Sequence, residues 1–183
     1  MLKSINRDRG ATDPILVIAA IAVSLVLLVG GSFAVSGIVS NGHNLNAKSD
    51  LEKVAVAEAS RYAGADEFLA YKQTGTATDR ALEKSGVGFN PTEGGKLSVV
   101  LAPAASASGL PTVAGQTAWG WAVISQSGSR GADKYVRTSA SQIVAEVDSS
   151  ASLWKLKGPS AARVAADLKA NGITVAQLQA ALG

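Results

Sequence analysis

RDRGATDPILVIAAIAVSLVLLVGG, residues 7–31, joins a charged knot ending in Gly10 to an apolar run without formal charge, and its reading decides the fold. From Pro14 to Ala47 there is no Asp, Glu, Lys or Arg, and Ile15–Phe33 is mostly Ile, Leu, Val and Ala. As a helix, residues 15–39 extend roughly 37 Å, against a hydrocarbon core about 30 Å thick. Lipid offers the backbone no hydrogen-bond partner, so a single span must be helical. The sequence therefore predicts a transmembrane helix over 15–39.

The flanks orient it. Lys3, Arg7 and Arg9 precede the run and the next basic residue is Lys48. The positive-inside tendency puts the N-terminus in the cytoplasm and everything after Asn41 outside. SFAVSG, residues 32–37, imitates a signal-peptidase site, but a secretory signal has an apolar region of only about 7–15 residues. The run is longer than that, and no fresh domain start follows it.

A helix continues instead. In NLNAKSDLEKVAVAEASRYAGADEFLAY, residues 44–71, Leu51, Val54, Ala55, Ala59 and Tyr62 recur at helical spacing, with Asp50, Glu52, Lys53, Glu58 and Arg61 between them. No proline interrupts residues 15–71, and an unbroken helix over them would be about 85 Å long. Gly30, Gly31, Gly37 and Gly42 lie inside this pattern. Each costs up to about 1 kcal/mol relative to alanine; they permit close helix approach or mark a stretch that unwinds.

Composition narrows the function. The 183 residues carry a net charge of +3, two units of which come from the first ten residues. A basic-patch case for nucleic acid thus loses most of its support, and nucleic acid is left open as a partner. There is no cysteine for a disulfide, a thiolate metal site or a nucleophile. The only histidine, His43, follows the apolar run directly, where a polar interfacial residue is a simpler reading than a triad member. No phosphate loop, dinucleotide fingerprint, metal-spaced cluster or nucleophile elbow occurs, and GVG at 86–88 is too short to signify. These observations predict a protein that is not an enzyme and holds no cofactor or metal.

Behind the helix, residues 72–95 read as a loop with a short helix near Asp79–Lys84. Lys96–Ala102, Thr117–Ser127, Lys134–Ser139 and Gln142–Val147 read as strands, and GSRGAD at 128–133 as the turn of an antiparallel hairpin. Trp119 and Trp121 would share one strand face as packing residues. Residues 102–118 read as an exposed loop. In the tail, Ser160 and Thr174 read as helix caps, and Asn171–Gly172 as the stop between two short helices. Their face of Val164, Leu168, Ile173, Val175, Leu178 and Leu182 would dock on the domain or meet a partner.

A short basic leader ending in Gly10, an apolar helix within a few residues of it, the amphipathic NAKSDLEKVAVAEASRYA and a small domain behind together resemble a type IV pilin or pseudopilin with a class III prepilin-type leader. The resemblance covers the chain to about Tyr71. It implies that a prepilin peptidase cuts between Gly10 and Ala11, leaving Ala11 as a new, often methylated N-terminus. The family usually carries glutamate five residues into the mature chain; here Ile15 stands there, preceded by Asp13 and Pro14. Proline is tolerated in a first helical turn. Asp13 would cap the helix, meet the N-terminal amine of a neighbouring subunit, or both, which places subunit assembly at Asp13, Pro14 and Ile15. The family's frequent C-terminal disulfide is absent, so packing must secure the end of the sheet.

The expected fold is α+β: a long N-terminal membrane-spanning helix whose outer half packs on a small antiparallel sheet, with short C-terminal helices. The parts would be a leader at 1–10, the helix at 11–71, the sheet domain at 72–157 and the helical tail at 158–183. The implied function is that of a structural subunit of a pilus-like filament in a bacterial envelope, anchored in the cell membrane and then extracellular. Its partners would be copies of itself or other pilins, the prepilin peptidase, the assembly platform and the membrane. The alternative is a single-pass anchor for an extracytoplasmic binding or sensory domain.

Overall fold

The computed structural model describes residues 14–76, 80–102, 120–129 and 131–183. The chain divides between Val39 and Ser40 into two compact units. One helix, α1 (Pro14–Ala65), contributes to both. The second unit continues with β1 (Tyr71–Lys72), α2 (Ala81–Lys84), β2 (Lys96–Leu101), β3 (Trp121–Gln126), β4 (Lys134–Thr138), β5 (Ala145–Asp148) and β6 (Lys155–Lys157), then α3 (Ala161–Ala170) and α4 (Val175–Leu182). The architecture is α+β, with a long apolar N-terminal helix, a six-stranded antiparallel sheet and short C-terminal helices.

The sheet is a meander in which every strand pairs with its sequence neighbours, from β1 at one edge to β6 at the other. Alternation along the strands builds a core on each face. Trp121, Val123 and Tyr135, with Leu97 and Val99, face Ala47, Leu51, Val54 and Ala57 of α1. Ala122, Ile124, Val136, Ala145 and Val147 face Val164, Leu168, Ile173, Leu178 and Leu182 of the tail. The sheet of the second unit is thus a middle layer, and the tail's apolar face docks on its own domain. Trp119 lies outside the described residues.

Helix α1 stops at Ala65, short of the expected Tyr71. The Asp66 N–H donates to the Tyr62 carbonyl at 2.8 Å, and Asp66 takes a left-handed φ of 55° that ends the helix. Tyr71 pairs with Val99 in β1 and buries its ring edge-on to Phe89 at 5.1 Å. Strands β1 and β6 were not expected. Both are only two or three residues long, too short for alternation to register.

The C-terminal caps differ from each other. Thr174 forms a full capping box: its hydroxyl accepts the Gln177 N–H, and the Gln177 side chain accepts the Thr174 N–H at 2.7 Å. Ser160 occupies the N-cap position of α3 but makes no side-chain cap bond, because its own backbone is already helical at φ −87°, ψ −7°. The expected stop stands, with Asn171 as C-cap and Gly172 at φ 64°.

Asn44 ties the outer part of α1 to the β3–β4 turn. The Asn44 amide donates to Asp133 Oδ2 at 2.8 Å, and the Ser129 hydroxyl donates to Asn44 Oδ1 at 3.3 Å, clasping the β3–β4 turn. Within that turn Gly128 lies so close to the Gly94 carbonyl that a Cβ would stand 2.5 Å from its oxygen.

Candidate functional site

The residues of α1 from Pro14 to Val39 are all exposed. Ile15 is 74% exposed and Phe33 75%, and Leu16, Ile18, Leu27 and Leu28 are similarly open. Soluble chains do not present so large a continuous apolar surface to water. Its length and composition suffice to cross a membrane. Two hydroxyls within it are satisfied on the helix itself: Ser24 donates to the Ala20 carbonyl at 2.7 Å and Ser32 to the Val29 carbonyl at 2.8 Å. Such back-bonding relieves a serine of seeking a partner that lipid cannot supply. A Cβ placed on Gly30, Gly31 or Gly37 meets nothing within 4 Å, so nothing among the described residues requires their small size.

Of the residues expected to matter most, Pro14 opens α1 and Ile15 follows in its first turn. The proposed cleavage pair Gly10 and Ala11, and Asp13 with its cap or assembly role, lie outside the described residues.

The outer part of α1 corrects the expected helical face. The buried stripe is Ala47, Asp50, Leu51, Val54, Ala57 and Glu58, whereas Ala59 and Tyr62 are exposed. Both carboxylates sit in the stripe because each holds a loop. Asp50 accepts the Thr92 N–H on both oxygens at 3.1 Å and the Thr92 hydroxyl at 2.8 Å, while Lys53 approaches Asp50 Oδ1 at 2.7 Å. Glu58 Oε2 accepts the Leu69 N–H at 3.1 Å, and Oε1 has no partner among the described residues. Burial pushes the Glu58 carboxyl up to about 7, against the lowering effects of the Leu69 bond and the Arg61 charge. Positions 50 and 58 lie along the 47–51–54 stripe, but only their loop partners Thr92 and Leu69 make a buried carboxylate there acceptable.

Other polar groups of this unit line a small void and a groove. His43 is half-buried and lines a void of about 10 Å³ with Asp50 and Thr92, room for about one water. A groove of about 520 Å³ runs past Tyr62, Phe68 and Trp121; its buried Arg137 is ion-paired with Glu52. Among the described residues no three His, Cys, Asp or Glu side chains are grouped to hold a metal ion. Compared with known protein families, characterised proteins and solved structures, the chain matches none.

Proposed function

We propose that the chain is a structural subunit of a type IV pilus-like or pseudopilus filament in a bacterial envelope. One observation carries the reading: a single unbroken helix, Pro14–Ala65, is wholly exposed and apolar to Val39 and amphipathic beyond it, where it serves a small sheet domain. At about 25 cal/mol per Å² the apolar part holds tens of kcal/mol that only lipid or a bundle of like helices can satisfy. An anchor that later becomes filament core has both environments in turn.

In this reading the basic leader stays cytoplasmic, the sheet domain lies outside, and a prepilin peptidase removes residues 1–10 at the Gly10–Ala11 bond. Asp13 then caps the helix or meets the amine of a neighbouring subunit, standing in for the family's glutamate at the position held by Ile15. The role is structural rather than catalytic, and the partners are like subunits, the peptidase and the assembly platform.

Intact-mass measurement on the chain from native membranes tests this. The expected species lacks residues 1–10 and carries one N-terminal methyl group, and Gly10→Val retains the leader. An unprocessed N-terminus would sink the proposal in favour of a simple membrane anchor. Asp13→Ala should reduce filament yield while leaving membrane insertion intact; equal yield removes the assembly role of Asp13.

A further inference from the structure

The β5–β6 turn presents one apolar side chain on a fixed frame. Lys134 Nζ donates to the Ser149 hydroxyl at 2.9 Å and sits 5.0 Å over the centre of the Trp154 ring. Asp148 Oδ1 accepts the Ser150 N–H at 3.0 Å and the Ser150 hydroxyl at 2.6 Å, and the Ser152 carbonyl accepts the Gln179 side-chain amide at 3.0 Å. Leu153 stands between these anchors and is still 69% exposed. A lone exposed leucine on a loose loop needs no explanation. One held out by anchors on both sides is ordered before any contact is made, which lowers the cost of making one.

The groove of about 520 Å³ lined by Ala59, Tyr62, Ala63, Phe68 and Trp121 lies at the opposite end of the sheet. The register fixes this. Val147 pairs with Lys134 and with Leu156, so the β5–β6 turn follows the Lys134 end of β4, where Asn44 of α1 holds Asp133. The groove instead takes in Arg137 to Gln142, at the far end of β4, and the last turns of α1. Turn and groove are a strand length apart, and Leu153 cannot fill the groove of its own chain. Their borders carry opposite charges. Lys155 is exposed beside the turn, and Asp66, bonded to the Tyr62 hydroxyl, is exposed beside the groove; neither is in an ion pair among the described residues.

We propose that Leu153 of one copy seats in the groove of a second copy, with Lys155 against the second copy's Asp66. A knob and a hole at opposite ends of one domain make a heterologous contact, which repeats head to tail. The proposal rests on the filament reading and names the surface through which successive domains meet. One leucine buries little area, so the contact forms where bundled helices already hold the copies at high effective concentration.

The chain has no cysteine, so a variant carrying both Leu153→Cys and Ala63→Cys tests the contact directly. Filaments sheared from cells, oxidised with copper phenanthroline and run without reductant, should give a ladder of dimers, trimers and longer species, while each single variant stays monomeric. Intact filaments without a ladder would overturn the contact and leave the filament reading standing, whereas no filaments from the parent chain would sink both. A ladder that stops at the dimer would overturn the head-to-tail arrangement. A second measure holds whether or not the double-cysteine chain assembles. Leu153→Asp, which places a charge against the apolar wall of the groove, should lower the yield of sheared filaments about tenfold with the melting temperature of the domain unchanged, and Leu153→Met should leave the yield as it is. Equal yields from all three chains would overturn the proposal.

Discussion

Two stretches of the same helix have opposite relations to their surroundings. From Pro14 to Val39 every residue is exposed, and the exposed surface is apolar. From Ser40 to Ala65 the exposed surface is mostly polar or small, and a stripe through Ala47, Leu51 and Val54 is closed off by the sheet. Secondary structure is therefore uninformative about role here. What separates the two is which medium each stretch satisfies: the first needs a dry environment that the described residues do not supply, and the second has its own.

Charges in the first stretch should break that contrast most severely. Leu25→Arg with Leu28→Arg should cost about 3 kcal/mol per residue in membrane insertion, moving the chain from the carbonate-washed membrane pellet to the supernatant. Retention in the pellet would show that residues 14–39 are not what holds the protein there. In the second stretch, Leu51→Ala should lower domain stability by about 2–5 kcal/mol in a denaturant melt without altering membrane partitioning. A change in partitioning would mean that the two stretches are not functionally separate.

Glu58 sharpens the comparison through pH. Its folded carboxyl titrates near 7 instead of the ordinary 4.5, because burial favours the neutral form. The fold therefore binds the proton more tightly than the unfolded chain does. The associated stability is fully present below 4.5 and is lost as pH rises through about 7. Glu58→Gln keeps an acceptor for the Leu69 N–H and should stabilise the domain by up to about 3 kcal/mol at pH 8, with little gain at pH 4. A melting temperature equally changed at both pH values would remove the titration from the explanation.

The smallest effects distinguish two caps that look alike on paper. Thr174→Ala should cost about 1 kcal/mol because it dissolves a capping box, whereas Ser160→Ala should fall within about 0.5 kcal/mol of the parent. Equal losses would mean that Ser160 caps α3 in solution.

Much of the fold was legible because it rests on patterns that repeat. The strands at Lys96–Leu101 and Lys134–Thr138 matched their expected ranges within a residue, since each is a full run of strand-forming residues bounded by turns. The tail's apolar positions at 164, 168, 173, 178 and 182 do enter the core. Less legible were features made by single contacts between distant residues. Asp50 and Glu58 read as polar-face residues, and only the loops at Thr92 and Leu69 explain why a helix would bury them.

By itself the sequence determined that residues 15–39 form an apolar helix long enough to span a membrane, because that follows from side-chain transfer energies and helix rise, which are local quantities. It also determined that a sheet domain and two short helices follow, because alternation and capping are local too. Only the tertiary structure decided that the sheet is covered on both faces and that α1 turns its acids inward. Those outcomes depend on which surfaces meet, and a hydrogen bond between residues 40 positions apart leaves no periodic trace in the chain that makes it.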